Sequence, residues 1–270
     1  MELISVGNEL LIGKTLDTNA HWLAKRITVL GLKVRRMTTV GDDLDEISSA
    51  LKEALERRPR FIILTGGLGP TFDDKTIEGI AKALDSPLKI NEEARRMIEE
   101  KYEQYIREGK IREYELTPYR IKMAKMPEIA EPMPNPVGTA PGVKITLNET
   151  TIIALPGVPE EMKAIFDEYI ANLIRKAAGD VTFFEAAMLS TGIVESEVAP
   201  IIDEVMKNNP YVYIKSHPKA AEKVPKIEIH VYTTAEKADV AKSRLSNVVI
   251  QLSELIESKG GKTTPIKRSD

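Results

Sequence analysis

Residues 61–76 read FIILTGGLGPTFDDKT and give the clearest indication of the fold class. Its first four residues are apolar, with β-branched and aromatic members, which favours a buried strand. The glycine-rich loop that follows leads directly into a helical pattern from Asp74 to Leu84. A strand, a glycine loop and a helix in this order are typical of a parallel sheet, with the loop at the carboxyl end of its strand.

The flanking residues repeat the alternation of strand and helix. Strands are predicted at 2–6, 33–40, 143–147 and 151–155, and helices at 18–30, 44–57, 92–107 and 160–176. Five prolines lie between Pro127 and Gly142, which excludes a regular helix or a central strand and predicts an ordered loop or an edge there. Residues 1–178 are therefore predicted to form a three-layer α/β domain, with a mainly parallel sheet between helices.

A smaller pattern follows Gly179, where the alternation starts again. Strands are predicted at 182–189, 211–215 and 226–232, and helices at 196–207 and 235–258. We expect residues 181–258 to form a small α+β domain, and residues 259–270 to be a frayed polar tail.

The composition excludes several classes of function. The formal charge is −3, from 38 basic and 41 acidic side chains, so no general attraction to nucleic acid is expected. The absence of cysteine excludes disulfides and cysteine-bound metals, and the three histidines lack the spacing of a zinc site. Neither an 18-residue apolar run nor a signal peptide occurs, so we expect no membrane partner and a cytoplasmic location.

The glycine loop predicts a phosphate site, because such a loop can direct backbone amides and a helix N-terminus at an anion. Its predicted binding residues are Thr65, Gly66, Gly67, Leu68, Gly69 and Thr71. Asp73 and Asp74 would repel a phosphate, so we expect a divalent cation such as Mg²⁺ to bridge the carboxylates and the phosphate. We predict both aspartates as catalytic and metal-binding residues. The alternative is that Asp73 only caps the helix and the glycines only make the turn.

Two further segments are predicted to border the same site. The loop after the first strand supplies Asn8, Glu9 and Asn19, although Asp17 or Thr18 could be only a helix cap. The proline loops NPVGTAPG (135–142) and LPGVPEEM (155–162) supply Gly138, Gly142, Pro156 and Gly157, or else form only turns and a helix start. Three more carboxylates are predicted to complete the metal coordination or to act as base: Asp17, Asp42 and Glu160.

Five segments together resemble the competence/damage-inducible protein A (CinA) family. They are GNELLIGKTLDTNAHWLA (7–24), TTVGDD (38–43), TGGLGPTFDDKT (65–76), NPVGTAPG and LPGVPEEM. In addition, GIVES (192–196) resembles part of the small KH-like domain that follows in this family. The resemblance implies the molybdopterin-binding fold of the MoaB and MogA proteins, with Asp74 at the position of a functionally required aspartate on the following helix. It also implies a homo-oligomer, either a dimer or a trimer.

The resemblance implies a metal-dependent (Mg or Co) pyrophosphatase that acts on ADP-ribose, or on a related dinucleotide such as FAD. The alternative is a protein that binds molybdopterin or processes the molybdenum cofactor, without pyrophosphatase activity. Many bacterial members continue into a nicotinamide mononucleotide deamidase domain that these 270 residues lack, so that activity is not expected. The predicted second domain contains no GxxG, so RNA binding is not expected either.

Overall fold

The computed structural model describes residues 1–179, 181–219 and 224–266. The chain divides into two compact units. The first unit comprises Met1–Thr28 and Leu32–Ile174, and the second comprises Val29–Gly31 and the chain from Arg175 onwards.

The first unit alternates strands and helices along most of its length. Its elements are β1 (Glu2–Val6), α1 (Asn8–Leu11), α2 (Thr18–Val29), β2 (Arg36–Val40), α3 (Leu44–Glu56), β3 (Phe61–Thr65), α4 (Thr76–Ala83), β4 (Leu88–Ile90), α5 (Glu92–Arg107), α6 (Pro118–Lys122), β5 (Lys125–Pro127), β6 (Glu131–Met133), β7 (Gly142–Leu147), β8 (Thr150–Leu155) and α7 (Pro159–Ile165), which continues through a π-helical turn (Phe166–Ile170) into α8 (Ala171–Ala178).

The main sheet has the strand order β2-β1-β3-β8-β7-β6. The first four strands are parallel, and β7 and β6 continue the sheet in antiparallel pairing. All five residues of β3 are buried, as its unbroken apolar sequence predicts for a central strand. The predicted mainly parallel α/β class is confirmed, and the proline-rich segment supplies β6 at the sheet edge.

Several boundaries differ from those that periodicity predicts. Helix α4 begins at Thr76, so Asp74 lies in the preceding loop and not on the helix. The helix predicted over 160–176 is interrupted by the π turn. Helices α1 and α6 and the separate β4–β5 pair were not predicted, because elements of three to five residues are too short to show a period.

The second unit is a four-stranded antiparallel sheet with two helices, which confirms the α+β class. Its elements are β9 (Thr182–Thr191), α9 (Glu195–Asn208), β10 (Val212–Pro218), β11 (Lys226–Ala235), α10 (Ala238–Ser258) and β12 (Lys262–Pro265). The strand order is β10-β11-β9-β12, and residues of both helices pack with one sheet face in the apolar core.

The expectation of a frayed tail is wrong for β12, which pairs antiparallel with β9 at the sheet edge. Its side chains are polar and mostly exposed, so the strand has no apolar alternation that a sequence pattern could reveal. Backbone pairing with a strand about seventy residues earlier holds it in place. The last predicted tail residues, 267–270, lie outside the described residues.

Candidate functional site

The loops after β1, β3 and β8 meet at the carboxyl edge of the parallel strands and border a cleft of about 500 Å³. This edge is where open α/β sheets bind their ligands. Most of the predicted site residues line the cleft: Glu9, Asp17, Asn19, Asp42, Thr65, Gly66, Gly67, Leu68, Gly69, Thr71, Asp73, Asp74, Pro156 and Gly157.

Two glycines give the loop after β3 its shape. Gly66 and Gly67 have positive φ angles of 99° and 64°, a backbone conformation that favours glycine. A Cβ on Gly66 would lie 2.3 Å from the Val6 carbonyl oxygen, and one on Gly67 would lie 2.4 Å from the Thr76 hydroxyl. The buried Thr76 hydroxyl donates to the Gly66 carbonyl at 2.7 Å and thereby fixes the turn against the start of α4.

The same loop presents three consecutive unpaired amides. The Gly66 amide donates to the Leu155 carbonyl within the sheet, but no described residue accepts a hydrogen bond from the amides of Gly67, Leu68 or Gly69. The Leu68 side chain packs into the core, so its backbone is the part that borders the cleft. We call these three amides the anion seat, because successive free N–H groups are what a phosphate requires.

Two carboxylates converge beside the anion seat. Asp74 Oδ2 accepts hydrogen bonds from the Thr71 amide at 2.8 Å and from the Thr71 hydroxyl at 2.5 Å, and Asp73 Oδ1 contacts the same hydroxyl. The hydrogen bond from Thr71 lowers the pKa of Asp73, and the positive charges of Lys122 and Lys75 lower that pKa further. Asp73 is therefore an anion at neutral pH.

The alternative role of Asp73 as a helix cap is wrong. The N-cap of α4 is Lys75, and no side chain caps this helix end. Gly69 lies against the other carboxylate, because a Cβ on Gly69 would be 2.6 Å from Asp74 Oδ2. The loop thus excludes a side chain at the point where Asp74 approaches it.

Lys122, which lies on α6, stabilises the loop after β3 through hydrogen bonds. This role was not predicted from the sequence. Lys122 Nζ donates to the carbonyl oxygens of Thr71 and Asp74, each at 2.6 Å. It also places a positive charge beside the two carboxylates. No motif surrounds Lys122 in the sequence, and α6 is only five residues long, so no local signal could have found it.

Several polar residues of the loop after β1 make hydrogen bonds that stabilise the protein's own backbone. The Asn8 amide donates to Asp42 Oδ2 at 2.8 Å, and the Asp42 amide donates to Asn8 Oδ1 at 3.2 Å. Asn8 therefore joins two loops and does not line the cleft. Asp17 Oδ1 accepts from the Ala20 amide at 2.9 Å, which is the helix-capping role given as its alternative.

Asn19 is positioned differently, at the cleft itself. Its Nδ2 donates to the Gly157 carbonyl at 2.7 Å, which ties the start of α2 to the loop after β8. Its Oδ1 is buried and has no hydrogen-bond partner. Asn19 therefore carries one buried acceptor without a partner, although the residue itself lines the cleft.

The proline loop 135–142 is organised by Asn135. Its Oδ1 accepts from the Gly138 amide at 2.8 Å, and its Nδ2 donates to Glu161 Oε2 at 2.7 Å. Gly138 lies against the Glu161 carboxylate and does not line the cleft. Gly142 begins β7, where a Cβ would lie 3.1 Å from Ile165 Cγ2. Thr139 and Ala140 line the cleft where these two glycines do not, and substrate binding by Gly138 and Gly142 stays a prediction.

The five predicted metal ligands do not assemble into one set. Glu160 is exposed and does not line the cleft, whereas its neighbour Glu161 does. Asp17 and Asp42 are each engaged by a backbone amide. Among the described residues, no group of three or more histidine, aspartate or glutamate side chains could hold a metal ion. Asp73 and Asp74 are the carboxylates on the loop that carries the anion seat, and Glu9, Asp17, Asp42 and Glu161 also line the cleft.

Residues 2–176 match the family described as a probable molybdopterin binding domain. The chain belongs to this family. It is 43% identical to the protein CinA, of unknown function, from Thermoplasma acidophilum, whose solved structure it matches with a TM-score of 0.57 over 66% of this chain and 96% of that chain.

The family likeness extends to whole relatives. A protein of Pyrobaculum arsenaticum, whose name states no function, is 46% identical over 260 residues, which cover 96% of this chain and 95% of the relative. The molybdopterin biosynthesis enzyme MoaB from Thermus thermophilus is 16% identical, with a TM-score of 0.41 over 65% of this chain and 95% of that chain. The KH-like character of the second unit stays a prediction.

None of the helices in the described part of this family member has the length and apolar character needed to span a bilayer.

Proposed function

We propose that the cleft of the first unit is the active site of a metal-dependent pyrophosphatase that acts on ADP-ribose or on a related dinucleotide such as FAD. The observation that carries this proposal is the pairing of the anion seat with two carboxylates on the same rigid loop. A seat for one phosphate, next to groups that attract a cation, is the arrangement that cleavage of a phosphoanhydride needs.

The residues of the loop have separable roles in this proposal. The amides of Gly67, Leu68 and Gly69 hold one phosphate and stabilise the negative charge that develops on it. Asp73 and Asp74 would hold a divalent cation together with the phosphates, since Mg²⁺ is usually bound by one or two carboxylates plus substrate oxygens. When bound, such a cation polarises a phosphoryl group and lowers the pKa of a water molecule.

The reaction is a hydrolysis without a covalent enzyme intermediate. Water supplies the oxygen that bonds to phosphorus and gives up its protons to solvent. The bridging P–O bond breaks, and its electron pair stays on the departing phosphate. With ADP-ribose, the products are AMP and ribose 5-phosphate. Thr71 holds Asp74 in place through its amide and its hydroxyl, so the carboxylate needs no rearrangement to face the seat.

The family description supports a second candidate, namely a molybdopterin-binding protein without turnover. The same anion seat would suit the single phosphate of that cofactor. The two candidates differ in whether a phosphoanhydride is broken, and this difference can be measured directly.

The test incubates the purified protein with ADP-ribose or FAD, with and without Mg²⁺ or Co²⁺, and measures AMP by chromatography. We expect AMP only with metal, and a loss of about 100-fold or more in Asp74→Asn, because a charged group acting on the transition state is removed. Asp203→Asn changes an exposed aspartate of α9 and serves as the matched control. Tight binding of a pterin phosphate without any AMP release would support the second candidate, and unchanged turnover in Asp74→Asn would exclude the first.

A further inference from the structure

The sheet of the second unit has its two helices on one face. The apolar side chains of that face form the core with α9 and α10, among them Ile214, Ile229 and Val231. Side chains alternate between the two faces along each strand. The opposite face, which we call the open face, therefore carries the odd-numbered residues of β9 and β10 and the even-numbered residues of β11 and β12, as the strand register requires. No helix of the described second unit covers it.

Five rings contact one another on the open face. The ring of Tyr232 is nearly parallel to three others, with interplanar angles of 30° or less. Its centroid is 5.6 Å from that of Phe183, 6.2 Å from that of Tyr213 and 5.9 Å from that of His230. His217 meets the His230 ring edge-on, with centroids 5.2 Å apart. Single exposed apolar residues occur on every surface, but a continuous group of rings on a face without helices indicates a binding surface.

Tyr213 ends this series of rings at the edge of the sheet. It lies on β10, which is an edge strand, and it is 57% exposed. Among the described residues, Tyr232 is the one ring in contact with it. A flat group that continues the stack would bury apolar surface against Tyr213. Nucleobases are flat, and stacking on aromatic side chains is a main way in which proteins hold single-stranded nucleic acids.

The charges of the open face favour an anionic partner. Its two glutamates are engaged by basic groups: Glu185 Oε1 lies 2.7 Å from Nδ1 of His230, and Glu228 Oε1 lies 2.9 Å from Nε2 of the same ring. Glu228 also forms an ion pair with Lys219. The other charged residues at open positions of the four strands are all lysines, namely Lys215, Lys226 and Lys262.

Lys215 is the lysine next to Tyr213 on the open face. It is exposed and has no ion pair among the described residues. It follows Tyr213 by two positions on β10, so the two residues are about 6.7 Å apart along the strand. A base on the Tyr213 ring would therefore place the backbone phosphates of its strand within reach of a free ammonium group.

We propose that the open face of the second unit binds single-stranded RNA, with a base stacked on Tyr213 and a phosphate beside Lys215. His217, exposed on the same strand, has no hydrogen-bond partner among the described residues, and its ring nitrogens are available to a ribose 2′-hydroxyl, the group that distinguishes RNA from DNA. The RNA-recognition motif uses aromatic residues of a four-stranded sheet in this way.

This proposal runs against the expectation of no nucleic-acid partner. That expectation rests on the charge of −3 for the whole chain and on the missing GxxG. A stacking face needs neither a GxxG loop nor a basic chain, because the local lysines and rings supply the contacts. The proposal is also independent of the function proposed for the cleft of the first unit.

The test measures binding of a fluorescein-labelled oligouridylate to the full-length protein by fluorescence anisotropy, over a range of salt concentrations. Tyr213→Ala should weaken binding about tenfold, because one base loses its stacking partner, whereas Tyr213→Phe keeps the ring and should bind within about twofold of the wild type. Lys215→Met should reduce the slope of log affinity against log salt by about 0.7, as for one phosphate contact on a single strand. Tyr119→Ala removes an exposed tyrosine of α6 in the first unit and should bind as the wild type does.

Several outcomes would overturn the proposal. Equal affinity in the wild type and in Tyr213→Ala would reject the stacking contact. Displacement of the oligouridylate by inorganic phosphate at constant ionic strength would place the RNA in the cleft of the first unit instead. Equal binding of the matching single-stranded DNA, or of a duplex, would reject single-stranded RNA as the partner. Loss of self-association in Tyr213→Ala, without any RNA binding by the wild type, would identify the open face as a contact between two copies of this chain.

Discussion

Gly67 and Gly109 share a left-handed backbone, with φ angles of 64° and 71°, but differ in their surroundings. A Cβ on Gly67 would lie 2.4 Å from the Thr76 hydroxyl, whereas one on Gly109 would meet nothing within 4 Å. An alanine at Gly109 therefore changes the free energy of unfolding through the backbone conformation alone. An alanine at Gly67 adds the effect of a collision with Thr76.

We expect Gly109→Ala to lower the free energy of unfolding by about 1–2 kcal/mol, which is the backbone cost of the left-handed conformation. Gly67→Ala should lower it by a further ~1–3 kcal/mol, because the hydrogen bond from Thr76 to Gly66 is displaced. Urea denaturation measures both changes. Equal losses in the two variants would show that the turn is not held by Thr76.

Lys122 stabilises the same loop, because its Nζ donates hydrogen bonds to the carbonyls of Thr71 and Asp74. Lys122→Met should weaken phosphate binding about tenfold or more, because charge-assisted hydrogen bonds that shape the loop are lost. Lys52→Met, at an exposed position of α3, should leave binding unchanged. Calorimetry with inorganic phosphate measures this difference, and equal affinities in the two variants would contradict the assigned role.

At the scale of elements, one ion pair joins the first strand to the end of α3. The Arg57 guanidinium donates to both oxygens of Glu2, each at 2.8 Å. The Glu2 side chain is 7% exposed and that of Arg57 is 32% exposed. The hydrogen bonds from Arg57 lower the pKa of Glu2 below its ordinary value of 4.5.

This pKa shift predicts how the stability of the fold depends on pH. Since the folded pKa lies below the unfolded one, the contribution of Glu2 is fully present above about pH 4.5 and is lost as the pH falls through the lowered folded value. Glu2→Gln should reduce the free energy of unfolding at pH 7 by about 1–2 kcal/mol, at the low end for a bond to a charged group because water reaches Arg57.

The measurement is chemical denaturation of the wild type and Glu2→Gln between pH 3 and pH 7. The difference between them should shrink at the acidic end, because a protonated Glu2 also lacks its charge. Glu128→Gln breaks an exposed pair with Lys89 and should change stability little at any pH. A difference that stays constant over the whole range would contradict the role of the Glu2 charge.

At the scale of the whole molecule, Met1–Thr28 and Leu32–Ile174 form one compact unit, and the family model matches residues 2–176. The structural match with CinA spans 96% of the solved CinA chain and 66% of this chain. We therefore expect residues 1–178 alone to unfold cooperatively and to bind phosphate with the affinity of the full chain. Circular dichroism melting and calorimetry check this. Loss of cooperative unfolding would show that the second unit is needed for the first to fold.

The assembly of a dimer or trimer stays a prediction, as does the cytoplasmic location. Sedimentation equilibrium of the full chain would measure the number of subunits. A monomer at all accessible concentrations would reject this expectation.

The sequence alone determined the class of both units and the place of the anion seat. A glycine turn between a buried strand and a helix depends on neighbours in the chain, because the positive φ of Gly66 and Gly67 and the apolar run of β3 are local properties. These features are therefore visible in a short stretch of residues.

The roles of the polar residues around the seat depend on contacts that form only when the chain folds. Asp42 is engaged by Asn8 across 34 residues, Lys122 reaches Asp74 across 48, and Asn19 bonds to Gly157 across 138. A carboxylate or an amide in a sequence is equally suited to a metal, a helix cap or a ligand. Which of these it serves depends on the groups that folding brings within about 3 Å of it, and no local pattern encodes those partners.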